Sequence, residues 1–257
     1  MNVSILGAGN VATQLALGLK KAGNNVIQIY NRSDDAGREL ARTINASFTS
    51  DVNRLGNADI FIVAVKDDAI EEVAAQLHLH DKIVVHTSGT KSKELLRSSS
   101  AAYGIFYPLQ TMTKTSKVDF KNVPLLIEGN NEVVASQLER LANTISRNVH
   151  RVDEQQRQWI HVAAVFANNF TNHLFGISEH ILTEHGMSFD ILRPLILNFI
   201  QSLEKHSPSE IQTGPALRGD MQVIEKHLQL LTDETRLQTI YKVLTDSIIS
   251  QYHDKHI

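Results

Sequence analysis

Three small residues near the start of the chain have the spacing of a phosphate-binding turn. Gly7, Gly9 and Ala12 form a G-x-G-x-x-A pattern between an apolar segment and an amphipathic one. The first glycine allows a tight turn, the second leaves room for a pyrophosphate, and the small third residue lets a helix pack closely on a sheet. The N–H groups that open the helix, at Asn10 and Val11, would face the anion. The spacing predicts a dinucleotide site, and a glycine-rich turn that binds nothing is the alternative.

Residues 31–33 bear on the choice between NAD and NADP. An Asp or Glu after the second strand accepts a hydrogen bond from the ribose 2′-hydroxyl of NAD, whereas an Arg accommodates the 2′-phosphate of NADP. The chain reads Asn31-Arg32-Ser33 there. Arg32 can bind a phosphate, and Asn31 and Ser33 can donate hydrogen bonds to it. We therefore predict NADP, with NAD less favoured; a solvated arginine followed by two aspartates is the alternative.

Two later strand ends carry further candidates for the cofactor site. Ligands of open α/β sheets bind beyond the carboxyl ends of the strands. Val65 and Lys66 stand at the end of one apolar run, and His86 ends the next and precedes Ser88. We expect these residues beside the nicotinamide, with Ser88 as a candidate catalytic hydroxyl. Helix capping by Ser88 or Asp67 is the alternative.

A line of polar residues interrupts an apolar helical stretch downstream. His161, Asn168 and Asn172 are separated by seven and four residues, which places them on one stripe of a regular α-helix. His161 is the candidate general acid because an imidazole titrates near neutrality, and a structural histidine is the alternative. Asn168 and Asn172 would hold a water for proton transfer and Asn169 would bind substrate, unless the three serve an internal network.

The remaining substrate-binding candidates are Gln110, Arg218 and Asp220. Residues 207–219 are rich in Ser, Pro and Gly, which predicts a functional loop. Arg218 can hold a carboxylate through two hydrogen bonds. A structural Arg218–Asp220 pair, with Asp220 as a helix N-cap, is equally open. No metal site is expected, because the 12 histidines show no metalloenzyme spacing.

The elements that must position these residues alternate in the first half of the chain. Apolar runs predict strands at residues 2–6, 26–30, 59–65, 82–86, 103–107, 123–127 and 149–152, with helices at 10–22, 34–44, 68–77 and 132–145. Helices alone are predicted afterwards, at 153–184, 188–206, 220–231 and 233–252. We therefore predict an α/β fold in which a Rossmann-type doubly wound parallel sheet (residues 1–152) is followed by an all-α domain (residues 153–257) for substrate binding and dimerisation.

Composition narrows the classes of function. The 257 residues are 42% hydrophobic and 21% charged, with a net charge of −3 and no cysteine. Disorder, disulfides and Cys-based metal sites are excluded, and nucleic acid is not expected as a partner. The longest apolar runs are too short for a membrane span. We expect a soluble cytoplasmic protein, and apolar positions spread around the C-terminal helices predict a homodimer.

With these motifs placed, the chain resembles a superfamily of NADP-dependent enzymes. Gly7 to Ala12, Asn31-Arg32-Ser33 and Val63-Ala64-Val65-Lys66 are similar to the NADP-binding halves of pyrroline carboxylate reductases, hydroxyisobutyrate and phosphogluconate dehydrogenases, and deazaflavin-dependent NADP oxidoreductases. Four motifs resemble a bacterial family of Rossmann-like proteins with a C-terminal helical domain of unknown function: His86-Thr87-Ser88-Gly89, Phe106-Tyr107-Pro108-Leu109-Gln110-Thr111, Phe166-Ala167-Asn168-Asn169-Phe170 and Gly214-Pro215-Ala216-Leu217-Arg218-Gly219-Asp220.

The resemblance implies an NADP(H)-dependent oxidoreductase acting on a small polar substrate, an oxo-acid or imine, in the cleft between the two domains. Relatives in the superfamily often dimerise through the helical part. Hydroxyisobutyrate and phosphogluconate dehydrogenases carry a Lys and, four residues later, an Asn on the first long helix after the nucleotide domain. Here Val165 precedes Asn169 and Asn168 precedes Asn172 at that spacing. A non-catalytic NADP(H)-binding sensor or regulatory protein is therefore the alternative.

Overall fold

The structure is a computed structural model that describes residues 1–253, and its first half is built on an eight-stranded sheet. The spatial order of the strands is β3-β2-β1-β4-β5-β6-β7-β8. Their bounds are β1 Asn2–Leu6, β2 Asn25–Tyr30, β3 Ser47–Thr49, β4 Ile60–Val63, β5 His80–His86, β6 Ser100–Pro108, β7 Leu125–Gly129 and β8 Val149–Arg151. The predicted strands are all present, and β3 is an addition at the edge of the sheet.

Helices cover both faces of this sheet. They are α1 Asn10–Lys21, α2 Asp34–Ile44, α3 Ile70–Ala75 and α4 Glu132–Ile145. In β4 the side chains of Ile60 and Ile62 belong to one buried cluster, and those of Phe61 and Val63 belong to another. Successive side chains of a strand point to opposite faces, so both faces of β4 are buried, as a doubly wound sheet requires. The predicted fold class is confirmed.

The last two strands reverse direction. β6 pairs with β7 in antiparallel fashion, with Gly104 opposite Gly129 and Pro108 opposite Leu125, and β8 pairs with β7 in parallel. The sheet is therefore mostly parallel rather than parallel throughout. Two parallel strands are usually joined by a crossover helix. The segment between β6 and β7 contains only a three-residue 3₁₀ turn, Phe120–Asn122, which agrees with their antiparallel pairing.

The long helix predicted at residues 153–184 is divided into three parts. α5, Glu154–Ala164, begins at a capping box formed by Asp153 and Gln156. A π-helical segment, Val165–Phe170, follows, and α6, Thr171–Glu184, continues the helix. A π-helix has wider turns than an α-helix. The regular spacing that would place His161, Asn168 and Asn172 on one stripe therefore does not hold across this segment.

Every element described after Asn168 is helical. After α6 come α7 Arg193–Ser202, α8 Pro215–Arg218, α9 Met221–Leu230 and α10 Thr235–His253. The helix predicted at residues 188–206 starts with a 3₁₀ turn, Phe189–Leu192, and α7 ends at Ser202. The predicted loop at 207–219 contains the short α8, bounded by Gly214 and Gly219, both with positive φ.

The chain divides into two compact units, the first running from Met1 to Ala167 and the second beginning at Asn168. α5 belongs to the first unit because its Arg157 is fully buried and bonds to the loop after β5. The predicted boundary lies instead between residues 152 and 153, where the strands end and the helices begin. The division at that point into a dinucleotide-binding domain and a substrate-binding domain stays a prediction. Within residues 1–253, no helix combines the length and apolar character needed to cross a bilayer.

Candidate functional site

The turn from β1 to α1 requires glycine at its first position. Gly7 has a φ of +125°, and its N–H donates to the carbonyl of Tyr30 at 2.7 Å. A Cβ on Gly7 would lie 2.3 Å from the carbonyl oxygen of Ala64, at the end of β4. Only a residue without a side chain tolerates both conditions. The backbone therefore turns tightly over the carboxyl ends of β1 and β4.

Gly9 leaves open space at the N-terminus of α1. It precedes the helix, makes no side-chain cap, and a Cβ built on it would meet nothing within 4 Å. The first N–H groups of a helix have no partner within it, and they carry the positive end of the helix dipole. Ala12 is fully buried and lets α1 pack on the sheet. This arrangement suits a phosphate held by bare backbone.

A crevice of about 630 Å³ opens over this turn. It brings together eight of the eleven predicted cofactor-binding residues: Gly7, Gly9, Asn10, Val11, Asn31, Arg32, Val65 and Lys66. Seven further residues line the crevice: Ala8, Tyr30, Ala64, Asp67, Ala69, Val73 and Thr87. Asp67 and Thr87 belong to the two segments expected beside the nicotinamide, and the other five were not predicted. Most of these seven residues directly follow a strand or flank a predicted residue. That position in the chain is the signal from which they could have been predicted.

Arg32 stands at the rim of the crevice with its side chain 68% exposed. Within residues 1–253 its guanidinium forms one ion pair, with the carboxylate of Glu72 at 3.3 Å. Exposed pairs of this kind contribute little, so a stronger anion can replace Glu72. The Asn31 amide donates to the carbonyl of Ser33 at 2.8 Å and shapes the turn, and Ser33 is exposed at the start of α2. The residues present therefore fit a dinucleotide that carries a 2′-phosphate.

The Ser88 hydroxyl joins the loops that follow β4 and β5. It donates to Asp67 Oδ2 at 2.8 Å and accepts from the N–H groups of Thr90 and Lys91 at 3.2 and 3.1 Å. The Thr90 hydroxyl donates to the same Asp67 oxygen at 3.1 Å. Ser88 is buried, and its hydroxyl is already committed to these bonds. The structure thus gives Ser88 a role in holding Asp67, which lines the crevice.

His86 is fully buried and does not line the crevice. Its Nδ1 accepts from the N–H of Ser88 at 3.1 Å, and its Nε2 lies 3.1 Å from the carbonyl of Ser92. Burial lowers the pKa of His86 to about 4, although the Ser92 carbonyl opposes the change. A neutral ring with its proton on Nε2 satisfies both contacts. The expected contact with the nicotinamide is replaced by a role in shaping the loop that carries Ser88.

A hydrogen bond joins β6 to α5 at the carboxyl edge of the sheet. The Tyr107 hydroxyl lies 2.9 Å from His161 Nδ1, and the ring centroids are 6.1 Å apart. Gly89 packs against both rings, because a Cβ there would lie 2.6 Å from His161 Nδ1 and 2.9 Å from Tyr107 Cζ. Burial raises the pKa of Tyr107, and the Asp67 carboxylate adds to the increase while Arg157 opposes it. Tyr107 is thereby kept as a neutral phenol.

Arg157 is a fully buried cation that sequence reasoning missed. Its Nη1 donates to the carbonyl of Ser88 at 3.3 Å, and its Nη2 lies 3.5 Å from Glu128 Oε2. Glu128 also contacts Lys93 Nζ at 2.5 Å. Buried charges persist where they are paired. One turn before His161 on α5, Arg157 thus anchors the helix to the loop after β5 and to β7.

The other predicted site residues lie elsewhere. Gln110 is exposed, and its side chain accepts from the N–H of Thr111 at 2.9 Å. Asn168, Asn169 and Asn172 are exposed residues of the second unit, as is Arg218. Asp220 caps α9 by accepting from the N–H of Val223 at 3.2 Å. The capping alternative for Asp220 is therefore observed, and no ion pair joins Asp220 to Arg218 within the described residues.

No group of three or more His, Cys, Asp or Glu side chains is arranged to hold a metal ion in the part of the chain that the structure describes. Of the 12 histidines, His180 lies 3.4 Å from one carboxylate, that of Glu234.

Comparison with known proteins defines the family. Residues 2–89 match the model described as NADP oxidoreductase coenzyme F420-dependent, and residues 123–248 match a domain of unknown function, DUF2520. A Bacteroides fragilis protein described as a candidate NADP oxidoreductase is 36% identical, with a TM-score of 0.90, over 97% of this chain and 98% of that one. The chain belongs to the family in which an NADP oxidoreductase domain precedes this domain of unknown function.

Two further solved structures share the fold. A Thermotoga maritima protein is 24% identical, with a TM-score of 0.74, over 99% of this chain and all of that one. A 1-pyrroline-5-carboxylate reductase from Streptococcus pyogenes is 16% identical, with a TM-score of 0.67, over 97% of this chain and 98% of that one. Among proteins whose function has been curated, none matches this chain. The predicted family and its cofactor, NADP, are confirmed.

Proposed function

We propose that this protein is an NADP(H)-dependent reductase of a small polar carbonyl or imine compound. The observation that carries the proposal is the crevice over Gly7 and Gly9 with Arg32 at its rim. The backbone N–H groups of α1 would hold the pyrophosphate, and Arg32 would bind the 2′-phosphate. Bound NADPH supplies a hydride. Membership of an NADP oxidoreductase family supports this class of reaction.

The substrate class is proposed from chemistry and likeness together. A reductase of 1-pyrroline-5-carboxylate, which is a cyclic imine, shares this fold over its whole length. We place the substrate at the carboxyl edge of the sheet beyond Thr87, where ligands of open α/β sheets bind. His161 would serve proton transfer there. Asn168, Asn169, Asn172, Gln110 and Arg218 remain candidates for substrate contacts.

Binding of NADPH and NADH during thermal unfolding tests the cofactor site. A ligand at 100 times its Kd stabilises the native state by about 2.7 kcal/mol, so NADPH raises the Tm clearly and NADH raises it less. Gly9→Ala fills the space for the pyrophosphate and abolishes the shift. Gly176→Ala is the matched control, because Gly176 also has open space around its Cβ position. No shift with either nucleotide would refute the proposal.

A non-catalytic NADP(H) sensor is the second candidate. It is favoured by the lack of a Lys-Asn pair, since Val165 and Asn168 occupy the places four residues before Asn169 and Asn172. A sensor binds NADPH with the same dependence on Gly9 but does not oxidise it. Following NADPH absorbance with a panel of cyclic imines and 2-oxo acids separates the two candidates.

We propose further that two copies of the chain associate through the helical unit. Of the apolar side chains described after Asn168, only Ala216 and Ile224 are buried, whereas Leu195, Leu197 and Leu230 are mostly exposed. Monomeric proteins rarely expose so many large apolar residues in one region. A second copy, which presents the same unit, can cover them in a symmetric interface.

A further inference from the structure

We propose that Tyr107 and His161 act as one proton-donating pair, in which the Tyr107 hydroxyl gives its proton to the substrate and His161 replaces it. The inference rests on the reductase function proposed above and deepens it. From the sequence, His161 was predicted as the general acid and Tyr107 was given no role.

The two side chains are brought together by elements far apart in the chain. Tyr107 lies near the end of β6, and His161 lies on α5, 54 residues later. The distance of 2.9 Å between the hydroxyl and Nδ1 is that of a hydrogen bond. Both residues are half-buried. A pair that is partly shielded from water and still reachable can exchange protons with a bound ligand.

The pair adjoins the cofactor crevice. Thr87 lines the crevice, and Gly89, two residues later, lies directly against both rings. The Asp67 carboxylate also lines the crevice and is close enough to Tyr107 to raise its pKa. Parallel strands β4, β5 and β6 end side by side at this edge. A substrate beyond Thr87 would therefore meet the Tyr107 hydroxyl.

The proposed step balances in protons and electrons. A hydride from the reduced dinucleotide, which is the two-electron reductant, forms a C–H bond at the carbon of the C=N or C=O group, and the π electron pair of that group moves to its heteroatom. The O–H bond of Tyr107 breaks and its proton passes to that heteroatom. The Nδ1–H bond of protonated His161 breaks and its proton passes to the tyrosine oxygen. Neutral His161 then takes up one proton from bulk solvent, which is the proton that the net reduction consumes, so that Tyr107 carries no lasting charge.

The surroundings hold the pair in this geometry. Gly89 permits the close approach of both rings, because any side chain there would displace them. Arg157, one turn earlier on α5, fixes the helix to the Ser88 carbonyl and to Glu128. Arg157 is thus a positioning residue for the pair.

The test combines turnover with a structural signature. NADPH oxidation is followed with 2-methyl-1-pyrroline as the cyclic imine and with pyruvate as the 2-oxo acid. Tyr107→Phe keeps the ring and removes only the hydroxyl, and we expect kcat to fall roughly 100-fold or more, the range for loss of a general acid. NADPH affinity, measured by calorimetry, stays unchanged. The ¹⁵N resonance of His161 Nδ1 moves, because its hydrogen-bond partner is gone.

Tyr103→Phe is the matched control. Tyr103 lies on the same strand, and its hydroxyl donates to Glu94 at 2.8 Å, away from His161. This variant should keep both the wild-type kcat and the wild-type His161 resonance. His161→Gln should lower kcat as much as Tyr107→Phe does. The double variant should lower kcat no further than the worse single variant, because the effects of substituting residues that act as a unit are not additive.

Each outcome decides a different point. Wild-type turnover in Tyr107→Phe, or an unmoved His161 resonance, overturns the pair and leaves the reductase function standing. A wild-type protein that binds NADPH and reduces neither probe overturns the reductase function, and the proton-donor role falls with it.

Discussion

At the scale of single residues, Arg32 is the side chain that can distinguish the two dinucleotides. Its exposed contact with Glu72 leaves the guanidinium available to a phosphate. We predict that Arg32→Gln weakens NADPH binding about tenfold, since hydrogen bonds to charged groups contribute about 1.5–3 kcal/mol, and leaves NADH binding unchanged. Calorimetric titration measures both affinities.

Arg38→Gln is the control for that prediction. Arg38 is also exposed and paired with one carboxylate, Asp34, at 2.8 Å. It does not line the crevice. If both variants weakened NADPH binding equally, a general loss of positive charge would explain the effect and Arg32 would have no specific role.

His86 makes stability depend on pH. Burial lowers its pKa from 6.5 to about 4, so the unfolded chain binds a proton on His86 at a higher pH than the native protein does. This contribution to stability is complete above pH 6.5 and is lost as the pH falls towards 4. The free energy of unfolding should fall by at most about 1.4 kcal/mol per pH unit in this range.

Urea unfolding at about pH 7.5 and about pH 5 checks this dependence. His86→Asn removes the titrating ring, so the variant should lose less stability on acidification than the wild type does. His185→Asn changes an exposed histidine and should keep the wild-type dependence. Equal acid sensitivity in His86→Asn and the wild type would show that other groups cause the loss.

Local spacing predicted most of the phosphate-binding residues of the crevice and singled out His161, but it did not predict the contact of His161 with Tyr107. Gly7, Gly9 and Arg32 follow strands whose apolar character is visible in the sequence. The Tyr107–His161 contact depends on the packing of α5 against β6 across 54 residues, and local spacing carries no information about it. Burial of Arg157 was equally hidden, because arginine on an amphipathic helix is usually exposed.

At the scale of elements, the capping box of α5 stabilises the helix that carries Arg157 and His161. The Asp153 side chain accepts from the N–H of Gln156 at 2.7 Å, and the Gln156 side chain accepts from the N–H of Asp153 at 3.0 Å. We predict that Asp153→Ala lowers the free energy of unfolding by about 1 kcal/mol, whereas Asp153→Asn keeps an acceptor and changes it little. Urea unfolding at neutral pH measures the free energy of unfolding of both variants. An equal loss in Asp153→Ala and Asp153→Asn would mean that the Asp153 side chain stabilises the helix through its charge.

Elements with strong periodicity were predicted well. α2 and α4 have the predicted bounds, 34–44 and 132–145, because an amphipathic pattern and good N-cap residues coincide there. β3 was missed because three residues with one apolar side chain give no pattern. The π-helical segment Val165–Phe170 was missed because the apolar residues around it fit an α-helix equally well.

At the scale of the whole molecule, the exposed apolar residues of the helical unit predict a dimer. Leu195 on α7 is 66% exposed and Val133 on α4 is 67% exposed, so the two positions are matched in exposure. We predict that Leu195→Glu shifts the molar mass from dimer towards monomer, because a buried unpaired charge is costly. Val133→Glu should leave the mass unchanged. Light scattering at micromolar concentration measures it, and a monomeric wild type would refute the dimer.

The reversal of β7 and β8 sets the direction in which α5 travels. Because β8 runs against β6, α5 returns towards the carboxyl edge of the sheet. The helix rises about 6 Å from Arg157 to His161. On β6, Ile105 pairs with Glu128, and the strand rises about 7 Å over the two residues from Ile105 to Tyr107. One residue inserted between Arg157 and His161 would rotate the imidazole by about 100°. The spacing of four residues between Arg157 and His161 is therefore what lets one helix reach both the Ser88 carbonyl and the Tyr107 hydroxyl.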